Sequence, residues 1–314
     1  MNSEIKDGRL RRRFAQRGYA VFRCRDTYPE EKTVHHHDFY EVNLFYGGAM
    51  EYIVESRAYQ ITPGDLLLVS PNELHQSVAG TVPAGLERVV LWIDKAYLQR
   101  FSTLGFDIAA CFDTSRPNHS NCLRFDDDQT MRIFGLLEAC IREDASEEFG
   151  AQMLADTAMI QVMIQINRLA LRGDARSVPP DRSGTLVAQV VDYINTHYAE
   201  ELSLDGLANM FFISKYHLSR EFSRLVGTTV HRYIIQKRLA VAKQLLSEGK
   251  TSSAVYQQCG FGDYSNFYRA FRSEYGISPK EYVALVRQDA AINAERSREQ
   301  RWLLGDPEPT SQEK

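Results

Sequence analysis

The chain has 314 residues and no run of about 18 apolar ones, so no membrane-spanning helix is expected. Its opening stretch, Met1 to Arg17, is rich in Arg and lacks the apolar core of a secretory signal. Cysteine is scarce: Cys24, Cys111, Cys122, Cys140 and Cys259 are an odd number, and no Cys-x-x-Cys occurs. That usage predicts buried, reduced thiols in a cytoplasmic protein. A strong positive charge is also missing. The net charge of −4 argues against nucleic-acid binding until it is divided along the chain. Residues 183–288 carry 12 Lys and Arg against 9 Asp and Glu, and the remainder carries 25 against 32. The C-terminal part is therefore the basic portion of an acidic chain, and its sign suits a phosphate backbone.

A composition of 44% hydrophobic and 25% charged residues is that of a soluble globular protein, long enough for two domains. The clearest boundary is the Gly, Pro, Ser and charge-rich stretch from Gly173 to Gly184. Before it, residues from about Val21 to Trp92 read as short strands, with turns at Gly47-Gly48, Pro63-Gly64 and Pro83 to Gly85. Helices are expected over about 129–142 and 151–172, the second with Leu154, Ala158, Val162, Ile166 and Leu169 at helical spacing. After the boundary the chain reads as all helix to about Arg287. The expected organisation is an N-terminal arm (1–20), a mixed domain (21–172), a linker (173–185), a helical domain (186–287) and a polar tail (288–314).

One pattern occurs twice in the helical part. Leu218-x-Arg220-x-Phe222, Gly227 and Tyr233 return as Phe267-x-Arg269-x-Phe271, Gly276 and Tyr282, each pair 49 residues apart. A fixed offset at five positions marks one supersecondary unit used twice. Ser203 and Ser214 are N-cap candidates for the two helices of the first copy, and Asp263 for the second helix of the second copy. Gly227 and Gly276 suit left-handed helix ends. Leu218, Phe222 and Leu225 form an inward row, as do Phe267 and Phe271. Tyr216, Ser219, Arg220 and Ser223 face outward in the first copy, and Tyr264, Ser265, Tyr268, Arg269 and Arg272 in the second. A longer connecting helix, about 229–246, is expected to bury Val230, Tyr233, Ile234, Val241 and Leu245. Helices of this kind suit a major groove, where Arg discriminates guanine by about 1–3 kcal/mol.

Residues 186–287 resemble the DNA-binding domain of the AraC/XylS family of transcription regulators. Cys259-Gly260-Phe261-x-Asp263, Asn266-Phe267-x-Arg269-x-Phe271 and Gly276-Ile277-Ser278-Pro279-x-x-Tyr282 match its signature in order and spacing. The resemblance implies two helix-turn-helix motifs acting as one module on double-stranded DNA. It assigns base reading to Tyr216, Ser219 and Arg220 and to Tyr264, Ser265, Tyr268 and Arg269. Two residues depart from the family pattern. Phe212 stands at a turn position where small or polar residues are common, and a left-handed conformation there costs about 1 kcal/mol. Tyr256 stands where the family usually has Ala, and must point outward or widen the helix packing.

The mixed domain contains His35-x-His37-x-x-x-Glu41, followed by His75. A continuous strand would show His35, His37, Glu41 and Asn43 on one face and Tyr40, Val42, Leu44 and Tyr46 on the other. The pattern resembles the cupin fold, although the intervals before His75 depart from its second motif. Three readings stay open for the polar face: a first-row metal ion, a small-molecule pocket lined by His35, His37, Glu41, Asn43 and His75, or no ligand role. Tyr52 and Trp92 are further pocket candidates. The family resemblance implies a cupin-like β-barrel sensor with following helices and an all-α double helix-turn-helix, without a metal or other cofactor. It further implies a small-molecule effector such as a sugar, a homodimer formed through the helices after the barrel, and contact with RNA polymerase if the role is activation. The Leu154/Ala158/Val162/Ile166 stripe suits either that dimer or an internal core. The Arg9, Arg11, Arg12 and Arg13 run reads as a solvated arm or one touching the DNA-binding domain. The rival is a metal-dependent cupin enzyme fused to a DNA-binding module.

Overall fold

The computed structural model describes residues 14–26, 34–78, 85–103, 105–116, 119–172, 176–177 and 185–288. The expected arginine-rich arm, most of the linker, the Pro83 turn and the tail from residue 289 lie outside them. Among the described residues, nine strands form two antiparallel sheets. They are β1 (Tyr19–Asp26), β2 (Tyr40–Gly47), β3 (Met50–Val54), β4 (Arg57–Ile61), β5 (Asp65–Val69), β6 (His75–Val78), β7 (Leu86–Ile93), β8 (Cys122–Arg124) and β9 (Arg176–Ser177). The larger sheet runs β1-β7-β2-β5-β8-β9 and the smaller β4-β3-β6.

Strand alternation explains how the larger sheet buries both faces. Val42 and Leu44 of β2 and Leu66 and Leu68 of β5 enter one apolar cluster. Phe45, Leu67 and Val69 enter another, with Tyr52 and Tyr59 of the smaller sheet. The first cluster is completed by α2 (Asp127–Asp144) and α3 (Ala151–Arg172), which follow the short helix α1 (Lys95–Gln99). Asp126 begins α2 with a capping box shared with Gln129. On α3, Ala158, Val162 and Ile166 are buried in this cluster, whereas Leu154 is 57% exposed. The apolar stripe is thus a core face, and Leu154 stands outside it.

The helical region comprises α4 (Leu186–His197), α5 (Leu204–Met210), α6 (Lys215–Val226), α7 (Val230–Ser247), α8 (Ser252–Gln258) and α9 (Tyr264–Tyr275), with residues 279–288 also helical. A β domain followed by helices and a helical C-terminal region is the expected fold class. The chain forms two compact units, Met1–His197 with Leu202–Lys237, and Tyr198–Glu201 with Arg238–Lys314. In the first, Leu207, Leu218, Phe222, Tyr233 and Ile234 share one core with Val34 and Leu74 of the β domain. In the second, Phe261, Phe267 and Phe271 pack edge to face. There the Arg238 guanidinium donates to the carbonyls of Tyr198 and Glu200, both at 2.7 Å. In the later part of α7, Leu239, Ala242 and Leu246 are buried, and the expected Val241 and Leu245 are only half-buried. Likewise Val226 rather than Leu225 completes the buried row of α6.

All five cysteines are buried and none forms a disulfide. Among the described residues no helix is long and apolar enough to cross a membrane.

Candidate functional site

The first helix-turn-helix is built by local chemistry. The Ser203 hydroxyl accepts from Gly206 N at 3.0 Å and starts α5. The Ser214 hydroxyl accepts from His217 N at 3.2 Å and starts α6. Between them Ile213 N donates back to Ala208 O, which ends α5 in a Schellman-type turn. That turn needs a left-handed residue, and Phe212 supplies it at φ 55°. Gly227 ends α6 at φ 71°. With Leu218 and Phe222 fully buried, α6 presents Tyr216 and Arg220 to solvent and leaves Ser219 half-buried.

The second motif repeats the design in its own unit. Asp263 caps α9, accepting from Asn266 N at 2.7 Å. Gly260 takes the left-handed position at φ 78° and Gly276 ends α9 at φ 75°. Phe267 and Phe271 are buried, Tyr264, Ser265 and Arg269 are exposed, and Tyr268 is half-buried. Arg269 Nη2 donates to Asn266 Oδ1 at 2.6 Å, which holds the guanidinium along the exposed face. Tyr256 is accommodated by a T-shaped contact with the Tyr264 ring at 5.8 Å. The structure adds His217 and Asn266 to the candidates. Both are exposed, and they occupy equivalent positions 49 residues apart. That offset was the signal that identifies them.

The polar cluster of the β domain differs from the expected single strand. β2 begins only at Tyr40, after a bend at residues 38 and 39. His35 instead pairs with His75 through an isolated bridge. The bend is held by His37 Nδ1, 2.9 Å from Phe39 O, and by Asn72 N, which donates to His37 O at 2.8 Å. His37, Glu41 and His75 nevertheless converge, with one ligand-type atom of each lying within 4.8 Å of the others. Glu41 is buried; its carboxylate accepts from Asn43 Nδ2 at 2.8 Å and Trp92 Nε1 at 3.0 Å, and lies 3.0 Å from His37 Nε2. Burial alone would raise the Glu41 carboxyl, but His37, the charge of His75 and the Asn43 hydrogen bond outweigh it and hold it well below the usual range. Burial, reinforced by the charges of His35 and His37, holds His75 well below the ordinary imidazole value. Asn43 is fully buried, and the Tyr52 ring stacks on His75 with centroids 6.2 Å apart.

A second polar cluster lies within the first unit. Glu55, at φ 52° in the β3–β4 turn, accepts from Leu74 N, Asn195 Nδ2, Tyr233 OH and Lys237 Nζ at 3.0, 2.6, 2.7 and 2.8 Å. Burial and the Glu55 charge raise the Tyr233 hydroxyl well above its usual value, so it stays a donor. The neighbouring cleft, lined by Ile53, Val187, Val191 and Val226, encloses about 20 Å³, too small for an organic ligand.

The AraC-like ligand binding domain family matches residues 18–163, and a helix-turn-helix domain family matches residues 207–284. The chain is similar to the probable transcriptional regulator LumQ of Photobacterium leiognathi, 27% identical over 83% of this chain and 96% of that protein. It is also similar to the transcriptional activator RhaR of Shigella dysenteriae, 26% identical over 84% of this chain and 91% of that protein. The activator RhaS of Salmonella schwarzengrund is 26% identical over 79% of this chain and 86% of that protein. These matches are to transcription regulators, not to enzymes.

Proposed function

Because the chain belongs to the AraC/XylS family of DNA-binding transcription regulators and carries that family's ligand-binding domain, we propose that it is an effector-responsive activator. α6 and α9 read operator DNA, with Tyr216, Ser219 and Arg220 on the first and Tyr264, Ser265, Tyr268 and Arg269 on the second. One observation carries this reading. Two helices, each with a side-chain N-cap, a corresponding buried row and a left-handed Gly end, expose Arg at equivalent positions, 220 and 269. Packing alone does not require an outward Arg in both. Activation, with RNA polymerase as partner, is supported by relatives named as activators.

The effector side of the proposal places His35, His37, Glu41, Asn43 and His75 at the sensing site. Binding there shifts the population of DNA-competent molecules only if the effector favours one of two states. The working form is a homodimer within the cytoplasm. Genome-wide recovery of bound DNA names the operator, and the neighbouring genes indicate the effector's chemistry. Operator affinity of the full chain should fall as salt rises, because phosphate contacts release counterions. Salt-independent or absent operator binding would refute the assignment.

A further inference from the structure

We propose that His37, Glu41 and His75 form a site for a divalent first-row transition-metal ion that acts as an effector. The DNA arm of this proposal rests on the regulator reading above; the metal arm does not.

His37 Nδ1 lies 2.9 Å from Phe39 O and His75 Nδ1 2.9 Å from Glu73 O. A carbonyl oxygen only accepts, so each Nδ1 carries its proton, and a neutral ring then presents a lone pair at Nε2. His75, only 1% exposed, has its Nε2 buried without a hydrogen bond, and His37 Nε2 faces the Glu41 carboxylate at 3.0 Å. Their common neighbour is the Glu41 carboxylate, also an acceptor, with the three ligand-type atoms within 4.8 Å. Two lone pairs and a carboxylate facing one another in a buried space call for a cation. A backbone carbonyl behind each imidazole is the arrangement that orients metal-ligating histidines. Asn43 Nδ2 and Trp92 Nε1 fix the carboxylate in the same manner. Two imidazoles and one carboxylate suit zinc, nickel or ferrous iron, whereas magnesium and calcium prefer oxygen donors.

The segments that carry His37 and His75 reach the first helix-turn-helix. Val34 and Leu74, one residue from His35 and His75, pack in one core with Leu218 and Phe222. Val34 O accepts from Gln236 Nε2 at 3.1 Å. Gln76, which follows His75, donates to Val226 O at 2.9 Å, at the last residue of α6. A change in the position of His75 therefore acts on groups that contact α6 and α7.

The test uses the full chain stripped with EDTA, then titrated with Zn²⁺, Ni²⁺ or Co²⁺, with Mg²⁺ as control. Elemental analysis after gel filtration should find one transition-metal ion per chain, Co²⁺ should develop visible absorption bands, and Mg²⁺ should do neither. His75→Gln and the more exposed His37→Gln should each weaken binding at least roughly tenfold while retaining the wild-type circular dichroism spectrum. Zn²⁺ should change operator affinity of the wild type several-fold and leave that of His75→Gln unchanged. Folded wild type that binds no ion overturns the proposal and leaves a closed ion pair between protonated His37 and Glu41. Wild-type metal affinity in both variants also overturns it. Metal bound at this site without any change in operator affinity overturns the effector role. Loss of specific DNA binding by metal-free and metal-loaded protein alike would instead refute the regulator reading, a result independent of the metal stoichiometry.

Discussion

Arg220 and Arg269 occupy equivalent positions, yet their surroundings differ. Arg220 has Glu221 at 3.5 Å, whereas Arg269 is held by Asn266 at 2.6 Å. A guanidinium already held along the exposed face loses less freedom on binding. Arg220→Ala and Arg269→Ala should each weaken operator binding by about 1–3 kcal/mol with the fold intact. Fluorescence anisotropy with the recovered operator, alongside circular dichroism, checks this; unchanged affinity in both would reject the assigned faces. The turn residues offer a separate test, on stability. Phe212 is 95% exposed at φ 55°, so its ring contributes little packing while its backbone is strained. Phe212→Gly should raise stability by about 1 kcal/mol, read as a shift in the denaturant midpoint. At Gly260 the converse holds. A Cβ there would lie 2.6 Å from Ala199 O at φ 78°, so Gly260→Ala should destabilise the second motif by at least about 1–2 kcal/mol.

Element boundaries explain which expectations needed correction. An apolar periodicity along α3 is equally compatible with a dimer face and a core face, because spacing reports one side of a helix without naming what covers it. Packing against the larger sheet decides for the core at Ala158, Val162 and Ile166. The surface left for a dimer includes Phe149, Met153 and Leu154, which are 107%, 74% and 57% exposed. Leu154→Asp should therefore leave melting nearly unchanged and shift the protein toward monomer in sedimentation; an unaltered oligomeric state would place the interface elsewhere. Strand parity over 35–43 has a different limit. It placed Glu41 and Asn43 on one face correctly, but it could not foresee the bend that a local His37 side-chain bond stabilises. The two repeat copies show the same sensitivity to local chemistry. Their recognition helices are offset by 49 residues, whereas the left-handed residues Phe212 and Gly260 are offset by 48, because the second turn contains an extra Gly262.

Across the first unit, Glu55 joins the β domain to α4 and α7, the helices on either side of the first helix-turn-helix. Its carboxylate receives Asn195, Tyr233 and Lys237, residues 140, 178 and 182 positions later in the chain. Both Glu55 and Lys237 side chains are 15% exposed, so breaking the pair leaves a poorly solvated ammonium. Glu55→Ala should cost about 3 kcal/mol of unfolding free energy and raise hydrogen exchange in α4 and the start of α7. Exchange that rises evenly through the whole chain would argue against a local tie. The Glu55 side chain also gives the proposed effector site a second route to the helices, since Leu74 N, one residue from His75, donates to it.

The sequence by itself determined the duplicated unit, its caps, Leu218 and Phe222 as buried residues of α6, the buried row of α9 and the outward arginines. These are local properties, set by helical periodicity and by hydrogen bonds spanning three or four residues, and they can be read wherever they recur. It also brought His37, Glu41 and His75 forward as residue types suited to one site. Only the tertiary structure decided that those three meet while His35 pairs through its backbone, that the α3 stripe faces a sheet, and that Glu55 meets Lys237. Such proximities follow from sheet register and from which apolar faces cover one another. A residue's neighbours along the chain carry no record of either.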